Sequence, residues 1–264
     1  MSSSPPIVLT FAGSDPTGGA GLQADLLTLA SMGCHPLSVV TALTVQDTQG
    51  VASVEAVDAA YVRMQAERVL ADMDVAAFKL GVLGSVANVR AIAQILADHA
   101  QIPVVLDPVF ASGRGDALAN AEMIAAVREL LVPQSTVLTP NSLEARRLAE
   151  DSSLAEAARR LIARGAEYVL VTGTHEPGKE VVNTLYDSGG VVREDRWPRL
   201  AGSYHGSGCT LASAIAAALA NGLAVPEAVR DAQEFTWQAL AAGFRPGAGQ
   251  LLPDRFYWAR EAEE

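Results

Sequence analysis

Cysteines, aromatic rings and basic runs are all scarce in this chain, and each scarcity removes a class of function. Only Cys34 and Cys209 occur among 264 residues, in such different surroundings that a reduced chain fits better than a disulfide scaffold. Aromatic residues make up 5% and apolar residues 50%, so the core must be built from Ala, Val, Leu and Ile, which suits a sheet covered by closely packed helices. The formal charge is -11 and no Lys/Arg cluster offsets it, which excludes nucleic acid and anionic membrane as partners, because binding there needs a cationic footprint. No apolar run reaches the roughly 18 residues of a membrane span. The MSSSPP start lacks a basic segment followed by an apolar stretch. A cytoplasmic chain is expected.

What is present is an alternation. Apolar, often β-branched runs at Ile7–Ala12, Leu37–Leu43, Ala76–Leu80, Pro103–Asp107, Ser135–Thr139 and Tyr168–Thr172 read as buried parallel strands. Helical patterns lie between them at Gly21–Met32, Ala59–Met73, Val86–Ala100, Ala121–Leu131 and Leu154–Arg164. The economical topology is a right-handed βαβ succession in three α/β/α layers, forming one domain over residues 1–264. After Thr172 the pattern changes: Val181–Tyr186 and Val191–Trp197 flank Asp187-Ser188-Gly189-Gly190, a hairpin signal. This predicts a small antiparallel edge on a mostly parallel sheet, suited to a lid or a homodimer interface. Two helices, Thr210–Asn221 and Pro226–Ala242, follow.

Ligands of open parallel sheets collect beyond the C-terminal ends of the strands. Gly13 to Gly21, Gln46, Gly81, Asp107, Asn141 and Gly173 all fall there. In Gly13-Ser14-Asp15-Pro16-Thr17-Gly18-Gly19-Ala20-Gly21 the glycines permit close approach of backbone to a ligand. Gly19-Ala20 stand where a phosphate loop needs Lys and Ser/Thr, so that motif is excluded, and a simple strand-to-helix turn stays open. Asp25, one helical turn past Gly21, either points back at a ligand or is a solvated helix acid.

Tyr204-His205-Gly206-Ser207-Gly208-Cys209-Thr210 precedes an Ala-rich helix. Free N–H groups there converge at a helix end carrying roughly half a positive charge, which makes an anion hole suited to a transferring phosphoryl group. Cys209 at its mouth is expected to favour the thiolate and to take a substrate proton; a buried structural cysteine is the plainer reading. His205 reads equally as a site neighbour or a structural hydrogen-bonder, and Cys34 as packing. Asn141 and Glu144, three residues apart, suit a hydrated Mg²⁺ on a nucleotide, yet the same spacing resembles a capping box. Asp107-Pro108-Val109 offers another carboxylate, or a turn opener.

In order along the chain, AGSDPTGGAGLQAD, TALTVQDTQGV, KLGVLGS, VVLDPV, TPNSLEA and HGSGCTLASAIAA make the sequence resemble the ribokinase-like kinases, specifically those acting on hydroxymethylpyrimidine and its monophosphate in thiamine biosynthesis. The resemblance implies a three-layer ribokinase-like fold using ATP and Mg²⁺, with a monovalent cation as a further candidate. It implies that Gln46 bonds the aminopyrimidine edge and that Gly13, Asp25, Val82 and Val109 complete that pocket. Asn141, Thr172 and Thr174 are expected at the nucleotide, Glu144 and Asp107 at the metal, Gly206, Ser207 and Gly208 in the anion hole, and Cys209 as base. Thr172-Gly173-Thr174-His175 replaces the Lys-Gly-Gly-His common in such kinases, so a cation near the nucleotide is missing. The rival readings are a pyridoxal kinase of the same superfamily and a non-catalytic protein that binds a vitamin precursor. A Rossmann dehydrogenase is disfavoured, because no G-x-G-x-x-G opens the first helix.

Overall fold

The computed structural model describes residues 4–112 and 115–260; the first three residues of the MSSSPP start lie outside this range. Its strands are β1 Ile7–Ser14, β2 His35–Asp47, β3 Gly50–Ala56, β4 Val75–Leu80, β5 Val104–Leu106, β6 Val137–Leu138, β7 Tyr168–Val171, β8 Glu180–Asp187 and β9 Gly190–Pro198. The helices are α1 Gly21–Ser31, α2 Ala59–Leu70, α3 Val86–Asp98, α4 Ala121–Leu130, α5 Ser142–Ala149, α6 Leu154–Ala163, α7 Ser207–Ala220 and α8 Val225–Ala241. Side chains of Asp58, Ser85, Asn120, Asn141 and Ser153 cap α2 to α6, satisfying backbone donors that the first turn leaves free.

One sheet runs β3-β2-β1-β4-β5-β6-β7-β8-β9. Pairings from β2 through β7 are parallel, whereas β2/β3, β7/β8 and β8/β9 are antiparallel. The sheet therefore has antiparallel margins on both sides, one more than the sequence predicts. The additional margin comes from β3, whose half-exposed residues form no apolar run; Asp47 turns the chain into it by accepting from the N–H groups of Gln49 and Gly50. The predicted hairpin forms as β8–β9 and packs on α8, where Trp197 stacks on Trp237 at 6.3 Å and the Arg230 guanidinium covers Trp197 at 4.6 Å.

Two apolar clusters fill the spaces on either side of the sheet. Phe11, Phe78, Leu80, Ile92, Leu106 and Leu148 belong to one; Val8, Leu29, Val105, Leu170, Ile215 and Val229 belong to the other. Residues Cys209 to Ala218 of α7 are all buried, which small side chains permit at close helix–sheet approach.

The β2–β3 hairpin is tied to a distant segment. Thr48 accepts from Gly249 N–H on its hydroxyl (3.0 Å) and from Gln250 N–H on its carbonyl (2.9 Å). A Cβ on Gly249 would come within 1.7 Å of that carbonyl oxygen. Gly249→Ala is expected to cost about 1–3 kcal/mol through overpacking, a fall in Tm on the order of 5 °C. An unchanged melting curve would show that this close approach does not constrain the folded chain.

Candidate active site

The C-terminal ends of the parallel strands meet the N-terminus of α7, so backbone donors and carboxylates from distant segments share one rim. Gly206 caps α7 with φ of 87°, and a Cβ there would reach within 1.8 Å of the Gly19 carbonyl oxygen. Glycine is required, and the two glycine loops touch. Asp15, 2% exposed, joins them further: its carboxylate lies 2.8 Å from His205 Nε2 and accepts from the N–H groups of Thr17 and Ala20. Gln46 donates to the same carboxylate. Burial works to raise the Asp15 pKa, but these bonds overcome it and hold the group well below the usual carboxylate range. His205 is thus both a site neighbour and a structural partner.

At the mouth of α7, Cys209 is 9% exposed and hydrogen-bonded to Asp107. The expected thiolate does not form in this site. Burial pushes the thiol up to about 12; the Lys79 ammonium and a backbone hydrogen bond from Gly21 favour the thiolate, the Asp107 and Asp25 carboxylates oppose it, and burial prevails. Asp107 is pushed to about 6, chiefly by burial, and its Oδ2 is a buried oxygen without a hydrogen-bond partner among the described residues. A Cβ on Gly208 would lie 3.7 and 3.8 Å from the two Asp107 oxygens, so this carboxylate faces the first turn of α7.

Asn141 and Glu144 form the capping box of α5: Asn141 Oδ1 accepts from the N–H groups of Leu143 and Glu144, and Glu144 Oε2 accepts from Asn141 N–H. Both sequence readings can therefore hold, since the box fixes Glu144 where burial and the Asp107 charge push its pKa to about 8. Beside it, Thr172 exchanges backbone hydrogen bonds with Pro140 and Ser142. The exposed Thr174 presents its carbonyl to Arg199, which also holds the carbonyls of Gly178 and Glu176 at 2.9 and 2.8 Å. A cation missed in the sequence thus frames the loop that lacks the expected Lys. At the other end of the rim, Val82 Cβ stands 3.7 Å from a Cβ position on Gly13, while Val109 shares a crevice with Asp107 and Gly81.

Asp25 requires correction. It is fully buried, and Lys79 Nζ (2.8 and 2.9 Å), Thr10 (2.7 Å) and Ser213 (2.8 Å) take up its carboxylate, so it supports the floor and does not face a ligand. The sequence reading missed Lys79 because it lies in an apolar strand, where a fully buried lysine is rare without a partner; the partner is brought from α1. Burial alone would lower the Lys79 pKa, but the surrounding carboxylates raise it and keep the amine charged. Cys34 packs as expected, accepting from Asn221 at 3.4 Å.

The phosphomethylpyrimidine kinase family model matches residues 15–254. A hydroxymethylpyrimidine/phosphomethylpyrimidine kinase of Streptomyces coelicolor is 42% identical, covering 97% of this chain and 96% of its own length. Among solved structures, a Bacillus subtilis pyridoxal kinase in complex with ADP superposes with a TM-score of 0.88 at 31% identity, over 97% of this chain and 99% of that one. A phosphomethylpyrimidine kinase from Clostridium difficile gives a TM-score of 0.78 at 32% identity, over 89% and 99%. The fold is ribokinase-like. With a match this long in sequence and in structure, the chain belongs to the phosphomethylpyrimidine kinase family.

Proposed function

We propose that this protein transfers the γ-phosphoryl group of ATP to the hydroxymethyl oxygen of 4-amino-5-hydroxymethyl-2-methylpyrimidine, and then a second phosphoryl group to the monophosphate, supplying the diphosphate for thiamine diphosphate biosynthesis. The observation that carries this reading is that Gln46, Asp15 and His205 stand on one side of the first turn of α7 and Asp107, Glu144, Asn141 and Thr172 on the other, along a single rim. An acceptor at one end and a nucleotide at the other would meet over α7.

Gln46, oriented by Asp15, reads the pyrimidine edge beside Gly13, Val82 and Val109. Asn141, Thr172 and Thr174 border the nucleotide. Backbone N–H groups of Ser207, Gly208 and Cys209 point where charge accumulates on the moving phosphoryl group, and they need no reorganisation to do so. As the Cys209 sulfur takes the proton of the acceptor hydroxyl, the thiol's own proton passes to the Asp107 carboxylate, so the cysteine ends again as a thiol and Asp107 as the acid, a contribution secondary to positioning and charge stabilisation. The orphaned Asp107 Oδ2 and the carboxylate of Glu144 fit Mg²⁺, which favours a few carboxylates together with phosphate oxygens. When bound, the ion would neutralise charge on the phosphates. Among the described residues no helix is long and apolar enough to cross a membrane; that and the charge of -11 support a cytoplasmic enzyme acting on small molecules.

The test is ATP-dependent phosphorylation of the hydroxymethylpyrimidine by purified protein with Mg²⁺, resolving mono- and diphosphate by chromatography. Both products are expected. Phosphorylation of pyridoxal alone would instead favour the second reading, which the structural likeness to pyridoxal kinases supports, and would remove the substrate role given to Gln46.

A further inference from the structure

Arg255 follows α8 in sequence, is 3% exposed, and directs its guanidinium at the site from behind. Nη2 donates to the Gly19 carbonyl at 2.6 Å, Nη1 to that of Gly18 at 3.5 Å, and Nε to Thr210 Oγ1 at 3.1 Å. Thr210 Oγ1 in turn donates to the Gly206 carbonyl at 2.8 Å. One side chain therefore spans both glycine loops, and its Nη2 comes within 3.0 Å of a Cβ position on Gly206.

A guanidinium removed from water is normally compensated by a carboxylate. Among the described residues Arg255 forms no ion pair; its partners are two carbonyls and a hydroxyl. Burial lowers its pKa, and the Asp25, Asp15 and Asp254 carboxylates, none of them paired with it, offset this only in part. A fixed charge of this kind is favourable when a negative group arrives at the donors in front of it. Its backbone has separate anchors, since Ser31 Oγ donates to the Arg255 carbonyl at 2.6 Å and Asp254 N–H to Ala239 at 2.8 Å. The segment does not depend on the guanidinium for its place.

We infer that Arg255 is a positioning residue for phosphoryl transfer, clamping the Gly18–Gly19 loop against the first turn of α7 and standing as fixed positive charge behind the anion hole. The inference rests on residues 206–209 being the phosphoryl site. Its experiment compares Arg255→Met and Arg255→Lys with Gly208→Ala, measuring kcat, KM for pyrimidine and ATP, and Tm. Gly208→Ala fits without backbone movement, since its Cβ meets only ordinary contacts at 3.7 Å, yet puts a methyl group in the hole.

Arg255→Met is expected to lower kcat by about 10² with pyrimidine KM within about threefold, which a merely structural defect would not produce. Arg255→Lys keeps the charge but loses the fork, and is expected to fold and to lose about tenfold in kcat; it decides the matter if the Met variant does not fold. Parent-like kcat in the Lys variant, or a change in Tm alone in the Met variant, overturns the inference. If Gly208→Ala loses kcat while the Arg255 variants do not, only the role of Arg255 falls. If all three keep kcat, the anion-hole reading falls with it.

Discussion

Lys79→Met is expected to destabilise the protein by about 3–5 kcal/mol, because it leaves the Asp25 carboxylate as an uncompensated charge in the interior. Both side chains are 0% exposed, so solvent screens neither. For a chain of this size such a loss lowers Tm on the order of 10 °C. Replacing both partners by neutral groups of similar shape, Lys79→Met with Asp25→Asn, is expected to return the protein to within about 1 kcal/mol of the parent, since removing a buried pair is far cheaper than breaking it. Calorimetry of the parent and the two variants checks this. Equal losses in the single and double variants would mean that packing, rather than the unpaired charge, sets the cost.

Cys209→Ala is expected to lower kcat by about 10² to 10⁴, the range of positioned proton transfer, while leaving pyrimidine KM little changed because the sulfur lies at the phosphoryl end of the rim. Turnover within a few fold of the parent would remove the cysteine from the proton path and leave the backbone donors of α7 as the whole of its N-terminal contribution. Steady-state kinetics with quantified products distinguishes the two. With the thiol pushed up to about 12, the sulfur can take the substrate proton only as its own proton passes to Asp107, so that carboxylate is part of the same argument.

The parallel core was readable because its strands are continuous apolar runs, and the helix between Val86 and Asp98 because its apolar positions recur at helical spacing. What stayed hidden depended on partners far apart in sequence. Strand β3 alternates too weakly to announce itself and exists through its pairing with β2. Asp25 looked free to face a ligand because Lys79, 54 positions away, takes it up, and Arg255 gave no signal at all because the loop it holds at Gly19 precedes it by 236 positions. Local chemistry also misled at Cys209, where the helix end was visible in the sequence but the burial that pushes the thiol up, and the two neighbouring carboxylates that add to it, were not. Asn141 and Glu144 show the converse, since the capping box that argued for a purely structural role is also what places Glu144 beside Asp107.

The segment from Gly249 to Arg255 fastens the β2–β3 hairpin at Thr48 and the loop at Gly19, across separations of 201 and 236 positions. During synthesis, which runs from the N-terminus, every residue that would bind the acceptor emerges well before the residues that fix it in place. A nascent chain can pair its central strands early, but the long-range closures come last and are the slowest to form. The scaffold is therefore in place before the working site is, so premature termination upstream of residue 249 yields a sheet without a held rim.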